Sequence, residues 1–386
     1  YGANASGKSK FIDALKFMKK FAISSSTEGQ ISKLIEVQPF KLQSESEKDS
    51  SEFEVIFIHN NEMFRYGFEV TNSIVISEWL YHKPKTKEVE LFYREKQKFD
   101  FHERNFPKGT TLEKEDLVRE NALLLSVAAQ FNDKNAGKVL EWFHEFKVIS
   151  GLEERGYKNN TISKTKDPHQ KKKILNLLKA ADLGIQNINY TDFSMSFSNE
   201  KEKKRFEELR EKMKEFDEEM FSDVATTHKK YDANKKKIAD VSFSMNTDES
   251  NGTQKFFYLT GTIIDTLETG AILFADELDS KLHPNLVCKL ISLFNSKEFN
   301  PKNAQIIFNT HDTNLLSSGL FRRDQIWFIE KDRYGAAKLY SLADFKSEVR
   351  KTDNFEENYI RGKYGAIPFL NSFESFAHFQ SVENEK

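Results

Sequence analysis

The sequence predicts an α/β fold with a β-meander subdomain and a helical lid insertion, on three observations. A glycine-rich octet, "GANASGKS" at residues 2–9, opens directly into the periodic run "KFIDALKFMKKF". Two short apolar runs, at 271–275 and 305–308, flank one helical stretch, the order of a right-handed parallel crossover. Residues 53–101 alternate apolar and polar side chains around Asn60-Asn61, the pattern of antiparallel strands joined by tight turns.

The octet fits G-x-x-x-x-G-K-[ST] without mismatch through Gly2, Gly7, Lys8 and Ser9. Backbone N–H groups of Gly2, Ala3, Asn4, Ala5, Ser6, Gly7, Lys8 and Ser9 would wrap phosphates. Lys8 would reach the terminal phosphates and Ser9 would offer its hydroxyl to Mg²⁺. A Gly/Ser turn before a helix is the plainer alternative. Phe11, Ile12, Leu15 and Met18 recur at helical spacing immediately afterwards, so a helix N-terminus faces the loop, as phosphate binding requires. Such a loop normally ends a buried strand, and none precedes Tyr1. The expectation is an N-terminally truncated parallel sheet lacking its first strand or strands.

The run 271–275 reads as a buried strand delivering Asp276 and Glu277 at its C-terminal edge. Asp276 would hold Mg²⁺ and Glu277 would orient or deprotonate the attacking water. A strand ending in a solvated acidic turn is the simpler reading, and the phosphate loop in the same chain argues against it. Upstream, Ser250, Gly252 and Gln254 precede an apolar helical stretch from Phe256 to Leu267, with Ser250 a candidate N-cap. Downstream, the run 305–308 reads as a second buried strand, and His311 lies just past its end.

Together "GANASGKS", "ESNGTQK", "LFADELDSKLHPN" and "FNTHD" resemble the ABC-type ATPases of the branch that includes SMC, RecF and OLD proteins. More closely, they resemble AAA-domain ATPases of the AbiLii type, found in bacterial abortive-infection and phage-defence operons. "FRYGFEV", "ISEWLYH" and "YIRGKYGAIPFL" extend the likeness from loop to tail. The resemblance implies a P-loop NTPase core of ABC-ATPase-like form, with ATP and Mg²⁺ as cofactors and Glu277, His311 and Lys8 in catalysis, His311 sensing the γ-phosphate. It implies that Ser250 and Gly252 cap the γ-phosphate of the opposite subunit, giving an ATP-sandwich dimer or a larger homo-oligomer. It also implies gating of a separate effector such as a nuclease. His283 stands where ABC transporters carry an aspartate, which disfavours transport. Gln38 and Gln43 both qualify for the Q-loop role.

The expected organisation is an N-terminal part of the core at 1–115, a helical insertion at 116–225 and a C-terminal part of the core at 226–386. The insertion contains "LVRENALLLSVAAQF", "AGKVLEWFHEF" and a lysine-rich stretch at 163–173 read as a solvated loop. A charged helix at 199–221 carries Phe206, Leu209, Met213 and Phe216 on one stripe. The insertion as a whole occupies the place of the SMC coiled coil but is too short for one and lacks sustained heptads, so it resembles a lid. A polar hairpin near 228–245 returns the chain to Ser250.

Composition narrows the alternatives. The 386 residues suffice for two domains, and 35 phenylalanines with 13% aromatics exclude a disordered chain. A formal charge of -2 leaves no bulk attraction to nucleic acid, so any basic patch is local. One cysteine, Cys288, excludes an internal disulfide and suits a reducing, cytoplasmic setting, and no apolar run approaches a membrane span. Glu330 and Asp332 at a strand end raise the reading of a nuclease domain like that of OLD proteins, but only 54 residues follow Asp332. "RGKYGAIPFL" reads as a tight turn docking the tail. The runner-up function is a RecF/SMC-like DNA-maintenance ATPase contacting DNA directly through 163–173. A third is a non-catalytic switch in which ATP only orders the dimer.

Overall fold

Helix α1 (Lys8–Ser24) starts where the glycine octet ends and buries Ile12, Met18 and Ala22. Phe11, expected on the same stripe, is exposed. The computed structural model describes residues 1–28, 33–192, 200, 204–205, 207–208, 222–350 and 352–368. It divides into one unit of Ser9–Thr310 and another of Tyr1–Lys8 with the chain from His311 onward.

In the first unit, an antiparallel meander follows α1: β1 (Ser51–His59), β2 (Glu62–Val70), β3 (Val75–Lys83), β4 (Val89–Glu95) and β5 (Lys98–Phe101), hydrogen-bonded in that order. Asn60 and Asn61 both take positive φ, 50° and 63°, which a two-residue primed turn demands and which asparagine tolerates. Phe64, Tyr66, Phe68 and Val70 of β2 point to one face and are fully buried. Aromatic contacts join that face to the helices, Phe68 to Phe21 and Phe57 to Trp142, the latter stacked with centroids 4.0 Å apart.

A buried ion pair fastens the meander to α3 (Leu124–Gln130), which follows α2 (Lys108–Lys114). Glu78 and Arg94 are both fully buried, with Nη1 and Oε2 3.6 Å apart. Glu78 also accepts from the backbone N–H groups of Leu124 (2.7 Å) and Leu125 (2.9 Å) and from the Tyr66 hydroxyl. It thereby satisfies two donors that a helix start leaves open. Arg94 donates to the carbonyls of Lys96, Ala122 and Arg119.

After α4 (Lys134–Glu145), capped by Asp133, the chain forms β6 (Lys147–Ser150). This corrects the expectation of a helical insertion at 116–225. β6 pairs in parallel with β10 (Ile272–Asp276), and the sheet order is β11-β10-β6. A four-residue stretch with only two apolar residues has no period that distinguishes strand from helix end. The lysine-rich stretch is also corrected, since it closes α5 (Arg155–Lys164) and opens α6 (Pro168–Ala180), capped by Asp167. Lys164 pairs with Asp265, Lys173 pairs with Glu268, and Lys171 donates to Asn189.

β7 (Asn187–Asp192), β8 (Ser222–Tyr231) and β9 (Lys237–Ser244) form a separate antiparallel sheet in which β8 and β9 make the anticipated hairpin. This too replaces helix with strand inside 116–225. The charged stripe of Phe206, Leu209, Met213 and Phe216 lies outside the described residues. Helix α7 (Asn251–Thr269) follows, with most of its residues from Thr253 to Thr266 buried. β10, α8 (Pro284–Asn295) and β11 (Gln305–Phe308) complete the parallel crossover.

In the second unit, Tyr1 lies in parallel register beside β12 (Trp327–Lys331). Its nitrogen donates to the Trp327 carbonyl at 2.7 Å and its carbonyl accepts from Ile329 N–H at 2.8 Å. β12 pairs antiparallel with β13 (Ala337–Ser341). Two short helices, α9 (Asn314–Ser317) and α10 (Phe355–Ile360), pack with them around Phe328, Leu342, Tyr359 and Tyr364. The tail turn at 362–365 buries Tyr364. Glu330 accepts from Ala366 N–H and Asp332 from Tyr334 and Ala336 N–H, so both carboxylates serve turns. No helix among the described residues is long and apolar enough to cross a membrane.

Candidate functional site

Within the unit Ser9–Thr310, Asp276 ends the central strand of the parallel sheet. Ser9 Oγ donates to its Oδ1 at 3.0 Å. The register aligns Ala275 with Phe308, so the next residues along, Asp276 and Asn309, lie side by side. Asn309 Nδ2 donates to Asp276 Oδ1, and Asn309 Oδ1 accepts from Glu277 N–H at 2.5 Å. One nearly buried amide thus orients both carboxylate residues. Glu277 has φ 52°, a left-handed turn that ends the strand and leaves its side chain half-buried.

Two further residues support this turn. Gly151, just past β6, donates its N–H to the Asp276 carbonyl, and a Cβ there would overlap the Glu277 carbonyl oxygen. Lys255, fully buried on α7, donates to both oxygens of Ser280 and to the Glu277 carbonyl. Burial pushes its ammonium down to about 8. Ser280 Oγ in turn donates to the Gly151 carbonyl.

Ser250 is the N-cap of α7, its Oγ accepting from Thr253 N–H at 3.2 Å. Gly252 lies against the chain after Glu277, where a Cβ would stand 3.0 Å from the Lys281 carbonyl. Gln254 turns inward and donates to the carbonyls of Glu249 and Asn246. Glu249, beside Ser250, accepts from Thr226 Oγ1 (2.5 Å) and contacts His228 Nε2 (2.7 Å). His283 caps α8 through Nδ1, which accepts from Asn285 N–H. Gln38, not Gln43, accepts from Lys10 Nζ, one residue past Ser9.

The other unit holds the glycine octet up to Lys8. Gly7 takes φ 112° and Ala5 φ 59°, and a Cβ on Gly2 would collide with the Ile329 carbonyl. Lys8 Nζ is buried and donates to the carbonyls of Gly2 (2.7 Å) and Ala3 (2.9 Å), which holds the ammonium inside the loop. Asn4 and Ala5 form its exposed crown. His311 is exposed in the loop that opens the C-terminal part of this unit.

The profile of a family described as "AAA domain, putative AbiEii toxin, Type IV TA system" matches residues 1–317. The chain belongs to this AAA-domain family. No curated protein matches it. Among solved structures, this AAA-domain protein is similar to an Smc head bound to the C-terminal winged-helix domain of ScpA, at 13% identity, 88% coverage of each chain and a TM-score of 0.39. It is also similar to an Smc head with an extended coiled coil bound to the C-terminal domain of ScpA from Pyrococcus furiosus, at 13% identity, 90% coverage of each chain and a TM-score of 0.32.

Each unit of this AAA-domain protein offers groups of the kind a magnesium nucleotide uses. Ser6 Oγ is buried inside the octet with no hydrogen-bond partner among the described residues, an acceptor or donor left for a ligand. Helix α1 begins at Lys8, so its first N–H groups also lack intrahelical partners. Among the described residues no three His, Cys, Asp or Glu side chains converge into a self-sufficient metal cage.

Asn309, Gly151 and Lys255 were not singled out from the sequence. For Asn309 a signal existed, because it follows the second parallel strand as Asp276 ends the first. Gly151 and Lys255 gave none, since their roles depend on which strand lies beside β10.

Proposed function

We propose that this AAA-domain protein binds and hydrolyses ATP by the ABC-type mechanism, in composite sites between copies of the chain. The observation that carries the reading is the 3.0 Å contact of Ser9 Oγ with Asp276 Oδ1, which joins the first turn of α1 to the acidic strand. Ser9 and Asp276 are the residues that would hold Mg²⁺. The metal, when bound, supplies charge neutralisation at the β- and γ-phosphates.

The remaining chemistry falls to side chains. Lys8 and the N–H groups of the octet bind the phosphate oxygens. Glu277 orients a water and takes its proton as the water oxygen bonds to the γ-phosphorus. The bond to the bridging oxygen then breaks and ADP leaves with that oxygen's charge. Asn309 keeps Asp276 and Glu277 in register. His311 would sense the γ-phosphate, Gln38 would take the Q-loop role, and Ser250 with Gly252 would cap the γ-phosphate of the partner copy.

Gating of a separate effector in anti-phage defence, as in AbiLii-type ATPases, follows from the sequence resemblance and is supported by the family's toxin–antitoxin description. The structural use of Glu330 and Asp332 argues against a built-in nuclease at that hairpin. Pairing of Lys164 and Lys173 with carboxylates weakens the case for DNA contact through 163–173, where Lys166 and Lys172 stay exposed. In the Glu277→Gln variant, ATP-dependent assembly should persist while phosphate release falls at least about 100-fold. Turnover that survives this substitution would remove Glu277 from its role, and loss of assembly in the parent protein would exclude the composite site.

A further inference from the structure

The hairpin of β8 and β9 carries Lys229, Lys230, Lys235, Lys236 and Lys237 within nine residues, all exposed. Two aspartates accompany them, so residues 229–240 carry a net charge of +3 on a chain whose total is -2. Asp232 is committed to the turn, accepting from Asn234 and Lys236 N–H, and Asp240 pairs with Lys237. Among the described residues the other four lysines have no acidic partner. On α5 and α6, by contrast, Lys164 and Lys173 are held by Asp265 and Glu268.

The base of the hairpin is anchored. Val224 and Thr226 are fully buried, Ser244 Oγ donates to Asp223, and Thr226 and His228 hold Glu249. Tyr231, 53% exposed, stands opposite Lys237 in the ladder, so an aromatic ring sits among the ammonium groups. A rigid base with a basic tip gains nothing for folding, since clustered like charges repel one another. A two-stranded ribbon also has the width that a duplex groove admits. A membrane surface would instead call for an amphipathic face with several apolar anchors.

We propose that the β8–β9 hairpin is a nucleic-acid contact whose lysines engage the phosphodiester backbone. Both DNA and RNA duplexes present that chemistry. The contact is independent of ATP turnover, so its test is run without nucleotide.

The experiment is fluorescence anisotropy of a 20-base-pair DNA duplex and of its RNA counterpart with the full chain, at salt from 50 to 200 mM. The comparison is between the parent and the triple variant Lys230→Gln, Lys235→Gln, Lys236→Gln. The triple variant should bind at least about 10-fold more weakly, with the slope of log affinity against log salt smaller by nearly 3. Lys85→Gln with Lys87→Gln, at the exposed turn between β3 and β4, should change neither quantity. Tighter binding of one duplex names the source of the backbone. No duplex binding by the parent, or a triple variant with unchanged affinity and slope, overturns the proposal. So does lysine-dependent binding to phosphatidylserine vesicles without binding to either duplex.

Discussion

Ser9 Oγ and Asp276 Oδ1 are 3.0 Å apart although 267 positions separate them in the chain. If Ser9 and Asp276 hold Mg²⁺ as proposed, they would supply two of its ligands and phosphates with water the rest.

Asp276→Asn keeps the acceptor oxygen and removes the charge. Mg²⁺-dependent phosphate release should fall at least about 100-fold, with a higher Mg²⁺ concentration needed for half-maximal rate. A titration of rate against Mg²⁺ that matches the parent would exclude metal binding by this residue.

Gly151 tests the support behind the Glu277 turn. A methyl group there meets the Glu277 carbonyl oxygen, so Gly151→Ala must displace the end of β10 or of β6. A displacement of about 1 Å at Glu277 predicts a kcat loss of about 100-fold with a smaller change in KM. Steady-state kinetics on a variant with parent-like circular dichroism would decide it.

Lys255 gives a pH signature. Its folded pKa of about 8 lies below the ordinary lysine value, so between about 8 and 10.4 the unfolded chain binds more protons than the folded one. Stability from this group is therefore present above the upper value and lost as pH falls through 8, by up to about 3 kcal/mol. Lys255→Met should flatten that part of the curve. Urea unfolding of both proteins at pH 8 and pH 10 measures the difference.

Glu78→Ala leaves Arg94 charged without its carboxylate and takes the acceptor from Leu124 and Leu125 N–H. The expected cost is about 3–5 kcal/mol in urea unfolding. Replacing both partners, as Glu78→Leu with Arg94→Met, should recover much of it, because no buried charge is then stranded.

Several features were legible because their causes are local. The run 305–308 is the strand β11, although none of its side chains is buried as expected, Ser250 is the cap of α7, and the Asn60-Asn61 turn has the left-handed backbone its residues allow. The readings that changed depended on neighbours. Lys147–Ser150 is too short for its period to speak, and it became a strand because β10 offered it an edge. Lys164 and Lys173 read as a solvated basic run until α7 placed Asp265 and Glu268 beside them.

The sequence by itself determined the phosphate-loop conformation, the acidic strand and the meander, since glycine torsions, apolar runs and alternation act within a few residues. Only the tertiary structure decided that Ser9 reaches Asp276, that Asn309 bridges Asp276 to Glu277, and that Gly151 must lack a side chain. Those relations arise where strands from distant parts of the chain pair in one register, and short-range patterning does not specify which edges meet.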